Sequence, residues 1–181
     1  MGGIGSPKRS GYSALYRPSI SKFADTEGMA REWAQQRKID VVQVVYSLLN
    51  REAQTLIADL GGAGIGVVAR EALANGFLSG QIRRDTEFAP GTLNARYDRA
   101  EIEARVERVE ALSFLVRDPI ETMPQAALRW VLDNPCVSLV LTGAKSVAEV
   151  RDGVRAAALT GFHREEMDRA ATLHTCDFSA A

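Results

Sequence analysis

Cysteine is nearly missing from this chain of 181 residues, which holds only Cys136 and Cys176. Two isolated cysteines make neither a disulfide framework nor a metal-ligand spacing, so the sequence reads as a cytoplasmic protein with reduced thiols and no metal site. Histidine is equally scarce: His163 and His174 lie in a polar C-terminal stretch, read as solvated. A basic excess is absent too, since 22 Lys and Arg face 23 Asp and Glu, for a net charge of −1. A nucleic-acid surface needs clustered positive charge, so no nucleic-acid partner is expected. No apolar run reaches the roughly 18 residues that span a bilayer, which excludes a membrane helix from the expectation. The N-terminus also lacks the apolar core of a secretory signal. What remains is 46% hydrophobic and 25% charged, the balance of a globular protein of one domain or a large part of one.

The first eighteen residues, MGGIGSPKRSGYSALYRP, have no strand or helix period and are expected to form a flexible arm. From residue 19 to 181 a rhythm appears. SISKF is a short strand candidate, and DTEGMAREWAQQ follows with helical spacing through Met29 and Trp33. IDVVQVVYSLL is β-branched and apolar on both parities, the mark of a strand buried on both faces. A helix from Arg51 to about Leu60 is expected to stop at Gly61-Gly62. GIGVVAR is the next strand, and EALANGFLSG a glycine-containing loop. After a polar insertion, Ile102, Val106, Val109, Leu112 and Leu115 fall on one helical stripe. Thr122 is placed to cap a further helix with Pro124 in its first turn. CVSLVLTG is a last strand, and SVAEVRDGVRAAAL and HREEMDRAATLH are closing helices. Strands alternating with helices predict a parallel sheet with right-handed crossovers. The fold class is α/β: about four parallel strands, a portion of a TIM-type barrel whose full form needs about 250 residues.

LVLTGAKSVAEVRDG, residues 139 to 153, joins an apolar strand to a helix start through Gly143, Lys145 and Ser146. Such a junction offers N–H groups, a helix dipole and an ammonium to an anion. It also fits a plain helix start with Ser146 as its cap.

Four segments, SISKFADTEGM, IDVVQVVYSLLNRE, GIGVVAREALANGFLSG and QAALRWVLDNPCVSLVLTGAKSVAEV, together resemble the aldo-keto reductase family. That family folds as an eight-stranded barrel that uses NADP(H), and these segments resemble its strands five to eight, its C-terminal half. The resemblance implies that Ser21 and Gln43 bind the nicotinamide carboxamide. It places Arg70 where an aromatic ring often stacks on the nicotinamide, Leu73 and Asn75 on the loop embracing the pyrophosphate, and Gly143, Lys145 and Ser146 around the adenosine 2′-phosphate. Glu149 stands where glutamine is common, and its carboxylate opposes a phosphate unless Lys145 or Arg151 offsets it. Gly153 stands where an asparagine usually meets the adenine. The family's catalytic tyrosine, lysine, aspartate and histidine belong to strands one to four, so no catalytic residue is assigned here.

The expected function is therefore NADP(H)-linked reduction or oxidation of aldehydes or ketones, lacking the segment with the catalytic tetrad. The alternatives are a non-catalytic half-barrel that binds nucleotide or assembles with a partner, or a truncated gene product. A small carbonyl substrate is expected only if an N-terminal half completes the site. Two free sheet edges imply a homo-oligomer or a partner chain.

Overall fold

Runs of β-branched residues at 41–45 and 66–70 extend because Val packs well on a pleated surface and loses rotamer freedom in a helix. The computed structural model describes residues 23–178 and places β1 at Val41–Val45, β2 at Gly66–Arg70 and β3 at Leu139–Val140. All pair in parallel, in the order β1-β2-β3. Val42 faces Val67, Gln43 faces Val68, and Val68 faces Leu139 across the ladders. Among the described residues six α-helices surround them: α1 Phe23–Gln35, α2 Gln54–Gly62, α3 Arg99–Ala111, α4 Met123–Leu132, α5 Val147–Ala158 and α6 Arg164–Thr175.

Three strands, rather than the expected four, lie among the described residues. Residues 1–18, the expected arm, fall outside them, as do 19–22 of the expected first strand, while Phe23 opens α1. Burial on both strand faces is realised on one parity only. Val42, Val44, Val67 and Ala69 are fully buried, whereas Val41, Gln43, Val45, Val68 and Arg70 are half covered. The half-covered parity is the one that a closed barrel fills with side chains from facing strands.

α2 does not stop at Gly61-Gly62. It runs through both, and the chain reverses at Gly64 (φ 75°), after which the Ile65 N–H donates to Leu60 O at 2.9 Å. Gly61 is held inside the helix by a close approach, since a Cβ there would meet Cys136 Cβ at 2.6 Å. The stripe from Ile102 to Leu115 is split: α3 ends at Ala111, and a 3-10 turn at Ser113–Leu115 carries Leu115 into the core. α3 starts on a reciprocal capping box between Asp98 and Glu101. Trp130 is buried against Tyr46, ring centres 5.0 Å apart, so it packs the core.

α6 is tied to the loop before α4 by Arg117, whose Nε and Nη2 donate to the two carboxylate oxygens of Glu166 at 2.7 Å each. This pairing holds the Glu166 carboxyl below its ordinary pKa. A depressed folded value means that the stabilisation is complete above the unfolded pKa, about 4.3, and is lost as pH falls through the folded one. Arg117→Ala is expected to lower the unfolding free energy by about 1–2 kcal/mol at pH 7. Urea melts should show that difference shrinking below about pH 4.

Candidate cofactor site

Three loops at the C-terminal ends of β2 and β3 build the site. The first follows β2. Arg70 pairs with the carboxylate of its neighbour Glu71, whose other oxygen accepts from Asn75 Nδ2 at 3.3 Å. Asn75 adopts a left-handed conformation (φ 57°), which asparagine tolerates better than most residues, and the chain doubles back there. Phe77 anchors this turn in the core, edge-on to Phe88 and Tyr97.

The polar insertion, residues 83–98, lies across that turn. Asn94 Nδ2 donates to Asn75 O at 2.9 Å, and Asn75 Nδ2 also lies 3.4 Å from the Tyr97 hydroxyl oxygen. Burial pushes the Tyr97 phenol up. Hydrogen bonds from Arg96 and Asn75, with Arg105 nearby, outweigh that and hold it below its ordinary value.

The third loop joins β3 to α5. Ser146 caps the helix, its hydroxyl accepting from the Glu149 N–H at 3.2 Å, and the Glu149 carboxylate reaches back to the Lys145 N–H at 2.7 Å. α5 is oriented by a clamp on α4. Asp152 accepts from the Thr122 hydroxyl at 3.0 Å and from the amide of Gln125, whose own carbonyl accepts from the Glu121 N–H at 2.8 Å. Gln125 is fully buried, so the clamp is shielded from water.

Between these loops lies a cleft of about 700 Å³. Leu73, Asn75, Gly143, Lys145 and Glu149 all line it, as do Asn94, Phe88 and Leu141. These five and Gly153, all singled out by the resemblance, therefore meet at one cavity. Ser146 adjoins it as the α5 cap. Gln43 sits in mid-β1 and Arg70 at the end of β2, and neither lines the cleft. Ser21 lies outside the described residues. The Arg70 guanidinium is paired with the Glu71 carboxylate.

The donor set suits a dinucleotide. Asn75, Asn94 and Lys145 present amide and ammonium groups at the cleft, and Leu73, Phe88 and Leu141 supply apolar wall for a base. Asn94 Oδ1 is buried with no hydrogen-bond partner, an acceptor placed for a ligand N–H or O–H. Apart from its chain neighbours, no described residue has a heavy atom within 4 Å of where a Cβ of Gly143 would be, so the loop leaves open space there. Asn94, Glu71 and Tyr97 were not singled out in the sequence. Their roles depend on where the insertion folds, which its polar composition does not tell.

Among the described residues no phenol is both held below its ordinary pKa and open to the cleft. Burial pushes the Tyr46 phenol above its ordinary value, offset only in part by the hydrogen bond from Asn134 and by Arg51. Tyr97 is pinned between Phe77 and Arg105 and does not line the cleft. Among the described residues no group of three His, Cys, Asp or Glu could hold a metal ion, and no helix is long and apolar enough to cross a membrane. His174 is half-buried against Phe178 rather than solvated.

Residues 19–174 match the sequence profile of the Aldo/keto reductase family. The chain belongs to that family. It is 30% identical over 130 residues to the NADH-specific methylglyoxal reductase of Escherichia coli, a match covering 70% of this chain and 39% of the relative. It is 33% identical over 117 residues to an uncharacterized oxidoreductase, YrpG, of Bacillus subtilis, covering 64% of this chain and 34% of that one. The fold matches the structure of a glycerol dehydrogenase from Gluconobacter oxydans with a TM-score of 0.71 at 19% identity, over 92% of this chain and 60% of the other. That likeness concerns the fold alone and supports a partial TIM barrel. The chain thus spans well under half the length of the curated relatives it matches. Members of the family depend on a nicotinamide cofactor.

Proposed function

We propose that this chain carries the cofactor-binding half of an NADP(H)-linked aldo-keto reductase acting on aldehydes or ketones. The observation that carries this is the convergence of Leu73, Asn75, Gly143, Lys145 and Glu149 on one cleft at the C-terminal ends of parallel strands, where α/β folds bind their ligands. Asn75 and Asn94 hold the pyrophosphate and ribose, and the β3–α5 loop takes the adenosine end. There the Lys145 ammonium and the α5 N-terminus face the 2′-phosphate. When bound, the nicotinamide supplies or accepts the hydride. Gln43 and Ser21 orient its carboxamide, and a proton donor comes from the half of the barrel that this chain does not span.

One observation favours a second choice of cofactor. The Glu149 carboxylate already takes the Lys145 N–H that a phosphate would use, and a relative is named as NADH-specific. Fluorescence titration with NADPH and NADH separates the two: tighter NADPH binding is expected, and a preference for NADH would reassign the loop to a cofactor without the phosphate. Glu149→Gln removes the opposing charge and should tighten NADPH about two- to fivefold, the scale of one exposed charge pair. NADH should change little.

A further inference from the structure

Two asparagines line the cleft, and the hydrogen bonds around them fix which end of each amide is left for a ligand. A side-chain amide carries two N–H donors on its nitrogen and two lone pairs on its oxygen. Asn75 Nδ2 lies 3.3 Å from Glu71 Oε2 and 3.4 Å from the Tyr97 hydroxyl oxygen, so both of its N–H groups are directed to protein acceptors. Asn94 Nδ2 donates to the main-chain oxygen of Asn75 at 2.9 Å, while Asn94 Oδ1 is buried with no hydrogen-bond partner. Turning either amide over would set an oxygen against the Glu71 carboxylate or the Asn75 carbonyl, which excludes the reverse assignment. The two side chains therefore offer the cleft carbonyl oxygens.

The charges agree. Glu71, Glu87, Glu149 and Asp152 line the cleft, and among the described residues Lys145 is the only cation that does. Lys145 belongs to the β3–α5 loop, so the wall formed by the β2 loop and the insertion has no cation of its own. Phosphate oxygens need donors and positive charge, whereas a wall of acceptors needs O–H or N–H groups. A buried acceptor without a partner also costs free energy that an incoming O–H recovers.

We propose that Asn75 and Asn94 read a ribose by its hydroxyl groups, acting as acceptors, and that neither side chain contacts a phosphate. The proposal rests on the cofactor reading and sharpens it: of ribose and pyrophosphate, these side chains take the ribose, and the pyrophosphate is left to other groups of the cleft. Hydroxyls on adjacent ribose carbons match acceptors on two residues that touch each other. In NADPH the nicotinamide ribose keeps both hydroxyls and the adenosine ribose keeps its 3′-hydroxyl, so either sugar supplies this chemistry.

The test is fluorescence titration with NADPH, NADH and two NADH analogues. One analogue lacks the 3′-hydroxyl of the adenosine ribose, and the other lacks both hydroxyls of the nicotinamide ribose. On the unaltered chain at least one analogue should bind roughly three- to tenfold more weakly than NADH, the scale of a neutral hydrogen bond, and the one affected identifies the sugar. Asn94→Leu should weaken NADPH and NADH by the same factor. Asn94→Asp keeps an acceptor and should bind both cofactors more tightly than Asn94→Leu does. If the side chain instead donates to a phosphate, the added charge makes Asn94→Asp the weaker binder, and the proposal falls. It falls too if both analogues bind as tightly as NADH, a result that needs no variant to fold. A chain that binds NADPH in a manner sensitive to Lys145→Ala, yet is indifferent to both analogues, would overturn this proposal and leave the cofactor reading standing. Absence of any dinucleotide binding would overturn both.

Discussion

The chain by itself should reduce common aldehydes and ketones with NADPH at least about 10²- to 10⁴-fold more slowly than an intact family member, the usual contribution of a positioned proton donor. The structure gives the physical reason. A tyrosine serves as general acid near neutral pH when a neighbouring cation lowers its pKa, and Tyr46 is displaced the other way by burial. Tyr97 is held low, but its hydroxyl is engaged by Arg96 and Asn75, and its ring is wedged beside Phe77 outside the cleft. Stopped assays of NADPH oxidation check this directly. A rate within tenfold of intact relatives, abolished by a substitution at Tyr46 or Tyr97, would show that one of these phenols serves as the acid.

Lys145→Ala should weaken NADPH binding roughly ten- to a hundredfold, the worth of one charge-assisted contact to a phosphate, about 1.5–3 kcal/mol. NADH should lose far less, because it lacks the group that the ammonium faces. Ser146 and Glu149 make the α5 cap through their own contacts to the N–H groups of Glu149 and Lys145. The Lys145 side chain is no part of those bonds, so the helix start should survive the substitution. Parallel fluorescence titrations of the variant with both cofactors measure the difference, and equal losses would remove the phosphate from the account.

The parallel α/β character, both long strands and the caps at Thr122 and Ser146 were legible because each rests on local pattern: β-branched runs, or a short polar residue ahead of a helix. The β3–α5 junction was legible for the same reason. Three features were not. The run CVSLVLTG forms only a two-residue ladder, since how much of it pairs depends on β2 rather than on its own composition. The exposure of Val147, Val150 and Val154 could not be read from spacing, which shows an apolar stripe but not whether anything covers it. The third feature is the wall of the cleft built by residues 81–94. Asn94 reaches Asn75 only because Phe77, Phe88 and Tyr97 fold the insertion back on the turn, a contact between segments with no periodic signature.

The measurement closest to the heart of this account is calorimetric titration with adenosine 2′,5′-bisphosphate, which carries the adenosine end of NADPH without the nicotinamide. The cleft should take up one equivalent, with binding weakened at least tenfold by Lys145→Ala and amide NMR shifts centred on Asn75, Asn94 and Lys145. No saturable binding at millimolar concentration, or binding whose shifts fall away from these three residues, would contradict a cofactor site between the β2 and β3 loops.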